Sequence, residues 1–576
     1  MDSPTRPSVL QLILPFWRDK KNWKGWVLLI LKLILMFGGV YIAVWSNELD
    51  GQVVDAMVAR EWDGLWQVLS LSLGVSLIAI IVSLMSAYLL SEGLKYQWRS
   101  WMTNWFIQKW TQHCAYYGIE RDASVDNADQ RISQDIETFI QLTMTLTLGT
   151  LQVTVTAISF TVVLWHLSGA LEFSVAGWDI SIPGYMVYLA YAYAIGSLLI
   201  SHYTGRQLID LFNKRQTAEA DFRYQGMQLR ENAEQIAFYN GGTREQQRLI
   251  ASFEDVKGNW RQIIGRTCKM MLARDMYIQT GSIIPTIAAL PRYLSGAISL
   301  GDMTRITGAF NSVYGALSFF TQAYVGFAEW KAVTNRLKDL LEAINTAEQR
   351  SASAAGIQTV KSEAQSISSS ALSLTKPNGE LIHNVSALNI QAGERWLIRG
   401  TSGTGKSTLL RAIAGIWHYG QGQVFTPKNA QLMFVPQRSY IPTGSLKSAL
   451  CYPNVPNKVS DEMCIDVLKK VQLGHLSDQL ATQDRWQQKL SGGEQQRLAF
   501  ARVLIQQPDY VFLDEATSGL DMKTEQALYA TLLEQLPKTA VVSVAHRESL
   551  EKFHSHILDL SVDVETEENL ENQHQS

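Results

Sequence analysis

Residues 400–408 read GTSGTGKST, set between RWLIRG (395–400) and LLRAIAG (409–415). The order is a buried strand, a glycine-rich turn and a short helix. The first N–H groups of a helix have no partner inside it and carry its positive end, so such a turn is built to hold an anion. Gly400 and Gly405 let the loop of Gly400, Thr401, Ser402, Gly403, Thr404 and Gly405 wrap phosphates with its main chain. Lys406 is placed to reach the β- and γ-phosphates, Ser407 to ligate Mg²⁺, and Thr408 completes the pattern.

Two more apolar strands are expected downstream. YVFLDE (510–515) ends in Asp514 and Glu515. A carboxylate at a strand end beside the phosphate loop is placed to hold Mg²⁺ through water, and the adjacent Glu515 to polarise an attacking water. AVVSVA (540–545) ends at His546, which is placed to meet a γ-phosphate. These residues predict an α/β nucleotide-binding domain with Lys406, Glu515 and His546 as its catalytic set.

The first 330 residues have a different character. Hydrophobic residues make up 47% of the chain and charged residues 18%, apolar for an ordinary soluble protein. Fourteen of the 17 tryptophans precede residue 331, and Trp26 and Trp45 bracket the first apolar run as interfacial anchors do. That run of about 19 residues spans roughly 29 Å as a helix, close to the hydrocarbon thickness. Six spans are predicted, over 26–46, 65–91, 138–166, 184–203, 275–298 and 304–329. Lys32 in the first is expected to snorkel to the inner interface. Polar residues in the later spans, among them Gln141, Gln152, Asp275, Gln279, Asn311, Gln322 and Glu329, either line a cavity or join helices.

Loop charge orients the spans. Arg6, Arg18, Lys20, Lys21 and Lys24 precede the first, and 92–136 holds Lys95, Arg99, Lys109, Arg121 and Arg131. By contrast, 47–63 has Arg60 alone among five acids, and 167–183 has no Lys or Arg. Positive loops stay inside, so both termini are expected in the cytoplasm. The run Val9 to Trp17 reads as an amphipathic elbow rather than a signal peptide, because RDKK follows it. The net charge of −3 gives no nucleic-acid footprint, and Cys114, Cys268, Cys451 and Cys464 lack metal spacing.

Between the strands lies LSGGEQQR (490–497), about ninety residues after the phosphate loop. With it the chain resembles the ABC transporters. The resemblance makes Gly400–Thr408 the Walker A loop, Gln437 the Q-loop glutamine and a further Mg²⁺ ligand, and Leu490–Gln495 the signature. It makes Tyr510–Asp514 the Walker B strand, Ser518–Asp521 the D-loop and His546 the switch. One feature departs: the aromatic that stacks on adenine, expected near 372–375, is absent from LSLT. In that family the signature caps ATP held by the other ATPase domain. One Walker A and one signature therefore imply a half-transporter, a homodimer in which Ser491, Gly492, Gly493 and Gln495 meet the partner subunit's ATP.

More local strings narrow the resemblance. FVPQRSYIPTGSLKSALCYP (434–453), DRWQQKLSGGEQQR (484–497), NADQRISQDI (127–136) and ENAEQIAFYNGG (231–242) are similar to the peroxisomal fatty-acyl-CoA half-transporters. The last two read as ATPase-contacting segments. WHLSGALEFSVAGWDISIPGYMVYLA (165–190) is similar to permeases of the SbmA/BacA type. The combination resembles YddA-like proteins and the mycobacterial cobalamin/bleomycin importers. The fold class expected is a polytopic α-helical membrane domain of six transmembrane helices, of the exporter-type ABC fold, joined to an α/β P-loop domain. The expected divisions are an elbow (1–24), the membrane domain (25–345), a linker (346–364), the ATPase domain (365–560) and an acidic tail (561–576). The implied activity is ATP-driven movement of a bulky hydrophilic solute, such as cobalamin or a peptide, across the inner membrane. ATP and Mg²⁺ are the implied cofactors; the lipid bilayer, a second copy and the cargo are the implied partners, with no nucleic acid. Export of lipids, acyl-CoA or drugs, and an ATP-gated proton-coupled permease, are the alternatives.

Overall fold

The structure is a computed structural model that describes residues 6–175, 178–352, 356–545 and 547–561. The chain divides into two compact units: Met1–Lys109 with Val125–Glu342, and Trp110–Ser124 with Ala343–Ser576.

The first unit is helical. It begins with α1 (Val9–Arg18), α2 (Trp23–Ala59) and α3 (Trp62–Leu84), which passes through a π-helical turn, Met85–Leu90, into α4 (Ser91–Thr111). The short α5 (Ala115–Arg121) falls in the second unit. Then come α6 (Ala128–Gln130), a π-helical segment Arg131–Asp135, α7 (Ile136–Ser168), and the hairpin of β1 (Ala170–Val175) and β2 (Trp178–Pro183). Long helices follow: α8 (Tyr185–Glu231), α9 (Ala233–Phe238), α10 (Gly242–Gly281), α11 (Ile284–Leu294) and α12 (Leu300–Ala352).

Three helical stretches among the described residues are long and apolar enough to cross a bilayer: Lys20–Ala59, Trp62–Arg121 and Ala128–Ser168. Within each, a stretch of 18 residues is strongly apolar. Ile34 is 58% exposed and Leu73 64%, which a water-facing helix does not tolerate repeatedly and a lipid-facing one does. α1 is amphipathic: Leu12 and Phe16 are buried, and Phe16 stacks on Trp98 at 5.7 Å. Lys32 Nζ donates to Ser86 O (2.9 Å) and Ser86 Oγ (2.7 Å), in the π-helical turn. The predicted span over 275–298 is not one helix. α10 closes at Gly281, and α11 restarts with Pro285 in its first turn, where a missing N–H costs nothing. The side chain of Gln322 lies outside the described part.

Two features tie the helices together. Tyr193 and Tyr277 stack at 4.6 Å, and each hydroxyl donates to the other's carbonyl, at 2.8 and 2.9 Å. At the other site, Arg305 of α12 reaches Asp302 (2.6 Å), Glu48 (3.2 Å) and Asp55 (3.5 Å), so that one guanidinium joins α12 to α2. Gly301 N donates to Asp55 at 2.9 Å. A Cβ on Gly51 would lie 2.4 Å from Arg305 Nε, so the contact needs glycine there.

The second unit starts with α5, the end of α12, β3 (Gln358–Ser362), β4 (Ser366–Ser369), β5 (Leu372–Thr375), β6 (Leu381–Val385), β7 (Asn389–Gln391) and β8 (Arg395–Arg399). It continues with α13 (Lys406–Ile413), β9 (Gly420–Gln421), β10 (Gln423–Pro427), β11 (Leu432–Val435), β12 (Gly444–Ser445), α14 (Leu446–Cys451), α15 (Asp461–Lys470) and β13 (Gln483–Asp484). It ends with α16 (Trp486–Lys489), α17 (Gly492–Gln506), β14 (Tyr510–Asp514), α18 (Met522–Gln535), β15 (Ala540–Val544) and β16 (His556–Asp559).

The central sheet is parallel, in the order β11-β14-β15-β8-β16. Its inner strands β14 and β15 are largely apolar because both faces are covered. Successive residues point to opposite faces, and the two cores show it. Leu397, Val511, Leu513 and Val541 pack with the helices α14, α15 and α17. Ile398, Phe512, Val542 and Val544 pack with α13 and the smaller sheets β3-β10-β4-β7 and β6-β5-β9.

Candidate functional site

Parallel order places the ends of β8, β14 and β15 side by side, and ligands of such sheets bind beyond those ends. The 400–408 loop joins β8 to α13. Gly403 and Gly405 have φ of +91°, open to glycine at no cost, and a Cβ on Gly405 would press on Ile382 at 2.9 Å. Lys406 is 6% exposed and folds back over the loop, its Nζ donating to Gly400 O and Thr401 O, both at 2.8 Å. Burial lowers the Lys406 ammonium below its ordinary range, opposed by Glu515 and Asp514. An ammonium held by main-chain carbonyls is well placed to turn toward phosphate.

Ser407, in the first turn of α13, donates to Asp514 Oδ1 at 3.1 Å. Burial raises the Asp514 carboxyl above the usual range, while the Ser407 hydroxyl acts the other way. Asp514 makes no ion pair among the described residues. Gln437, just after β11, donates from Nε2 to Glu515 Oε2 at 2.8 Å. Glu515 has φ of +48°, an uncommon geometry for a non-glycine residue, and its N–H donates to Val544 O of β15. Lys406, Ser407, Gln437, Asp514 and Glu515 thus converge, with Thr408 buried behind them in α13. Such hard-oxygen donors beside a partly desolvated carboxylate fit a Mg²⁺ ion. His546 lies outside the described residues.

The signature residues stand elsewhere. Ser491 caps α17: its Oγ accepts from Glu494 N (3.4 Å), and Glu494 Oε2 accepts from Ser491 N (2.9 Å). Gly492 and Gly493 form the first turn, and Gln495 donates to Gln487 O and Leu490 O at 2.8 and 2.9 Å. Among the described residues no hydrogen bond or ion pair joins Ser491–Gln495 to the 400–408 loop. β5 carries no aromatic; nearby Trp417 is buried and donates to Thr375 O at 3.2 Å.

The residue types did not indicate how 110–124 packs. His113 and Cys114 both have φ above +50°, a sharp kink without glycine or asparagine to announce it. The segment beyond packs on the end of the α13 region. Arg121 donates to Ile416 O (3.2 Å) and Tyr419 Oη (3.1 Å), and Tyr419 and Arg350 both reach Asp122, at 3.0 and 2.6 Å. Within the 127–136 motif, Asp135 pairs with Arg336 of α12 at 2.7 Å.

Comparison with known proteins decides the class. The family model described as ABC transporter transmembrane region 2 matches residues 11–294, and the one described as ABC transporter matches 382–518. The chain is 32% identical, over 96% of its length and 97% of the relative's, to the inner membrane ABC transporter ATP-binding protein YddA of Escherichia coli K12. The chain belongs to the ABC transporter family. It is an ABC half-transporter whose ATPase domain couples ATP hydrolysis to transport across a membrane. It is also 29% identical over 96% of its length to the human lysosomal cobalamin transporter ABCD4, of which 93% is covered. A bacterial Atm1-family ABC exporter with ATP bound superposes with a TM-score of 0.71 at 16% identity, covering 93% of this chain and 94% of that one. The fold of this transporter is therefore of the exporter type.

Proposed function

We propose that two copies of this ABC transporter form a homodimer with six spans each in the inner membrane, both termini cytoplasmic, and drive uptake of a bulky hydrophilic solute such as cobalamin or a peptide. The observation that carries the dimer is the separation just described: one chain has one phosphate loop, and its signature turn makes no bond to that loop. Two copies can close two identical sites by exchanging signatures. Lys406 and the main-chain N–H groups of 400–408 hold the ATP phosphates. Ser407, Gln437 and Asp514 would hold Mg²⁺, which supplies charge neutralisation between the β- and γ-phosphates when bound. Glu515 accepts the proton of the attacking water, and Gln437 holds its carboxylate in place until ATP arrives. His546 is assigned to the γ-phosphate. ATP joins the two ATPase domains and hydrolysis releases them, which biases the helices toward one side and then the other. The cobalamin assignment draws on the name of the human relative, and the positive loops support the orientation.

The deciding experiment is uptake of labelled cobalamin and of a labelled proline-rich peptide into cells. The intact protein is compared with Glu515→Gln at equal membrane abundance. Uptake that requires Glu515 is expected. Uptake equal in both proteins would show that hydrolysis does not drive it, and no uptake by either would overturn the cargo class.

A further inference from the structure

Lys32 lies within the first apolar stretch, about 9 Å along α2 from Trp26. A charged side chain at such a depth is costly in hydrocarbon and needs a partner. The partner that the fold supplies is neutral. Lys32 Nζ gives one proton to Ser86 O at 2.9 Å and one to Ser86 Oγ at 2.7 Å. Ser91 Oγ donates to the same carbonyl at 2.9 Å, which occupies both of its lone pairs. An ammonium has three protons, so one on Lys32 is left without an acceptor among the described residues. No carboxylate pairs with Lys32 among those residues either. Glu92, in the first turn of α4, is taken by Lys95 at 2.7 Å, and Lys95 is itself near enough to repel Lys32. Two lysines and one acid leave positive charge in excess where α2 meets the start of α4.

The groove that holds this charge is open to lipid from the side. A Cβ on Gly39 would stand 3.9 Å from Val82, and one on Gly93 would stand 3.7 Å from Leu28. α2 thus touches its neighbours on either side of the Lys32 and Ser86 contact. Leu31 and Met85, the residues just before Lys32 and Ser86, are 43% and 42% exposed. In antiparallel helices, the residues just before a facing pair fall on the same side of the groove. An acyl chain along Leu31 and Met85 therefore brings its phosphate toward the free proton of Lys32. Charge narrows the choice of lipid. A zwitterionic headgroup would set its own ammonium beside two lysines, whereas a phosphodiester without a cation meets opposite charge alone.

We propose that Lys32, held in place by Ser86 and backed by Lys95, binds the phosphodiester of one anionic phospholipid lodged between α2 and α3, in the leaflet on the α1 side. The site is separate from the ATP site and from any cargo path. A lipid that binds the packed helix pair and not the unfolded chain stabilises the protein by mass action.

The test uses full-length protein in neutral detergent, titrated with phosphatidylglycerol. Bound lipids per chain are counted by native mass spectrometry, and the thermal midpoint is recorded alongside. Phosphatidylcholine and inorganic phosphate are titrated in parallel. The variants are Lys32→Met, Lys32→Gln, Lys95→Gln and Ser86→Ala. Gln keeps a donor for Ser86 without the charge, so it carries the test if the Met variant does not fold. Wild type is expected to take one phosphatidylglycerol per chain ahead of any further adducts, with a rise in midpoint. Both Lys32 variants bind it about fivefold more weakly, the scale of one lysine at a membrane surface, and their midpoint no longer responds. Lys95→Gln weakens binding by less. Ser86→Ala lowers the midpoint without lipid and keeps the affinity, because the charge remains. The inference is overturned if the Lys32 variants bind phosphatidylglycerol as wild type does, or if phosphatidylcholine binds as tightly. It also fails if inorganic phosphate raises the midpoint as much as the lipid, which would make the ligand a free anion. Lys32→Met and Ser86→Ala that lose stability alike, with lipid affinity unchanged in both, would reduce Lys32 to a link between two helices.

Discussion

Among the single residues of the ATPase unit, His554 is one whose protonation the geometry dictates. It stands just before β16, between Leu550 and the buried Ser543 of β15. Its Nδ1 is 2.8 Å from Leu550 O, which only accepts, so Nδ1 carries the proton. Its Nε2 is 2.9 Å from Ser543 Oγ, and Tyr529 donates to that same oxygen at 3.0 Å. The Ser543 hydroxyl proton then goes to Nε2, and the imidazole is neutral. Protonation would set a second N–H against Ser543. Burial, chiefly, lowers the His554 pKa, with Leu550 O acting against it and Arg395 adding to it. An unfolded histidine titrates near 6.5 and the folded one lower, so the unfolded state takes up the proton first. The stabilisation is present above about pH 6.5 and is lost as pH falls through the folded value. The thermal midpoint of the wild type should therefore fall between pH 7.5 and pH 5.5 more steeply than that of His554→Gln, which has no such proton to gain. Parallel pH profiles for the two proteins would refute the relay. Residue identities in the nucleotide site were legible because phosphate chemistry restricts them to a few types at fixed spacing. Lys406 and Ser407 stand at the start of α13, Ser407 bonded to Asp514 and Gln437 to Glu515. His554 was not legible, since its partners are a main-chain carbonyl and a hydroxyl brought near only by the fold.

At the scale of elements, helices that show themselves by length and apolar composition were readable: α2, α3 and α7 all match predicted spans. The break between α10 and α11 was missed, although Pro285 and Pro291 were visible, because an apolar average over 275–298 hides a turn. The contact between α2 and α12 was equally hidden. It depends on Gly51 and Gly301 allowing close approach and on Arg305 answering three carboxylates 257, 250 and 3 residues away in sequence. Arg305 is 11% exposed, and its partners are only partly buried. Arg305→Gln leaves Glu48, Asp55 and Asp302 facing each other without a cation, at a cost of about 1–3 kcal/mol after allowance for solvent screening. Glu48→Gln leaves the guanidinium two acids and is expected to cost less than 1 kcal/mol. Thermal unfolding in detergent should rank them wild type, then Glu48→Gln, then Arg305→Gln, with the last gap narrowing in high salt as exposed charge pairs are screened. Arg305→Gln unfolding with wild type would mean that glycine packing alone holds the two helices.

The whole molecule was readable in its parts and unreadable in its joints. One phosphate loop and one signature imply a second copy through the resemblance to ABC transporters, in which the signature caps ATP held by the other ATPase domain. How 110–124 would fold onto the ATPase unit did not follow, because the kink at His113 and Cys114 uses residues with no turn preference. The composite site nonetheless makes a claim that only the assembled dimer can test. Lys406→Ala destroys the phosphate loop of its own chain but leaves its signature whole. Ser491→Arg fills its own signature turn but leaves its phosphate loop whole. In the proposed homodimer, where every site joins one chain's loop to the other chain's signature, each variant alone has two broken sites. A mixed dimer of the two has one site with both defects and one site with neither. ATP turnover should therefore be near background in both pure variants and return in mixed dimers purified through two different tags. Recovery to roughly half of wild type is the expectation for one independent site, and less if firing at one site depends on the other. Mixed dimers as inactive as their parents would show that signature and loop are not shared between copies in this way. Turnover by Lys406→Ala alone would remove the phosphate loop from the mechanism.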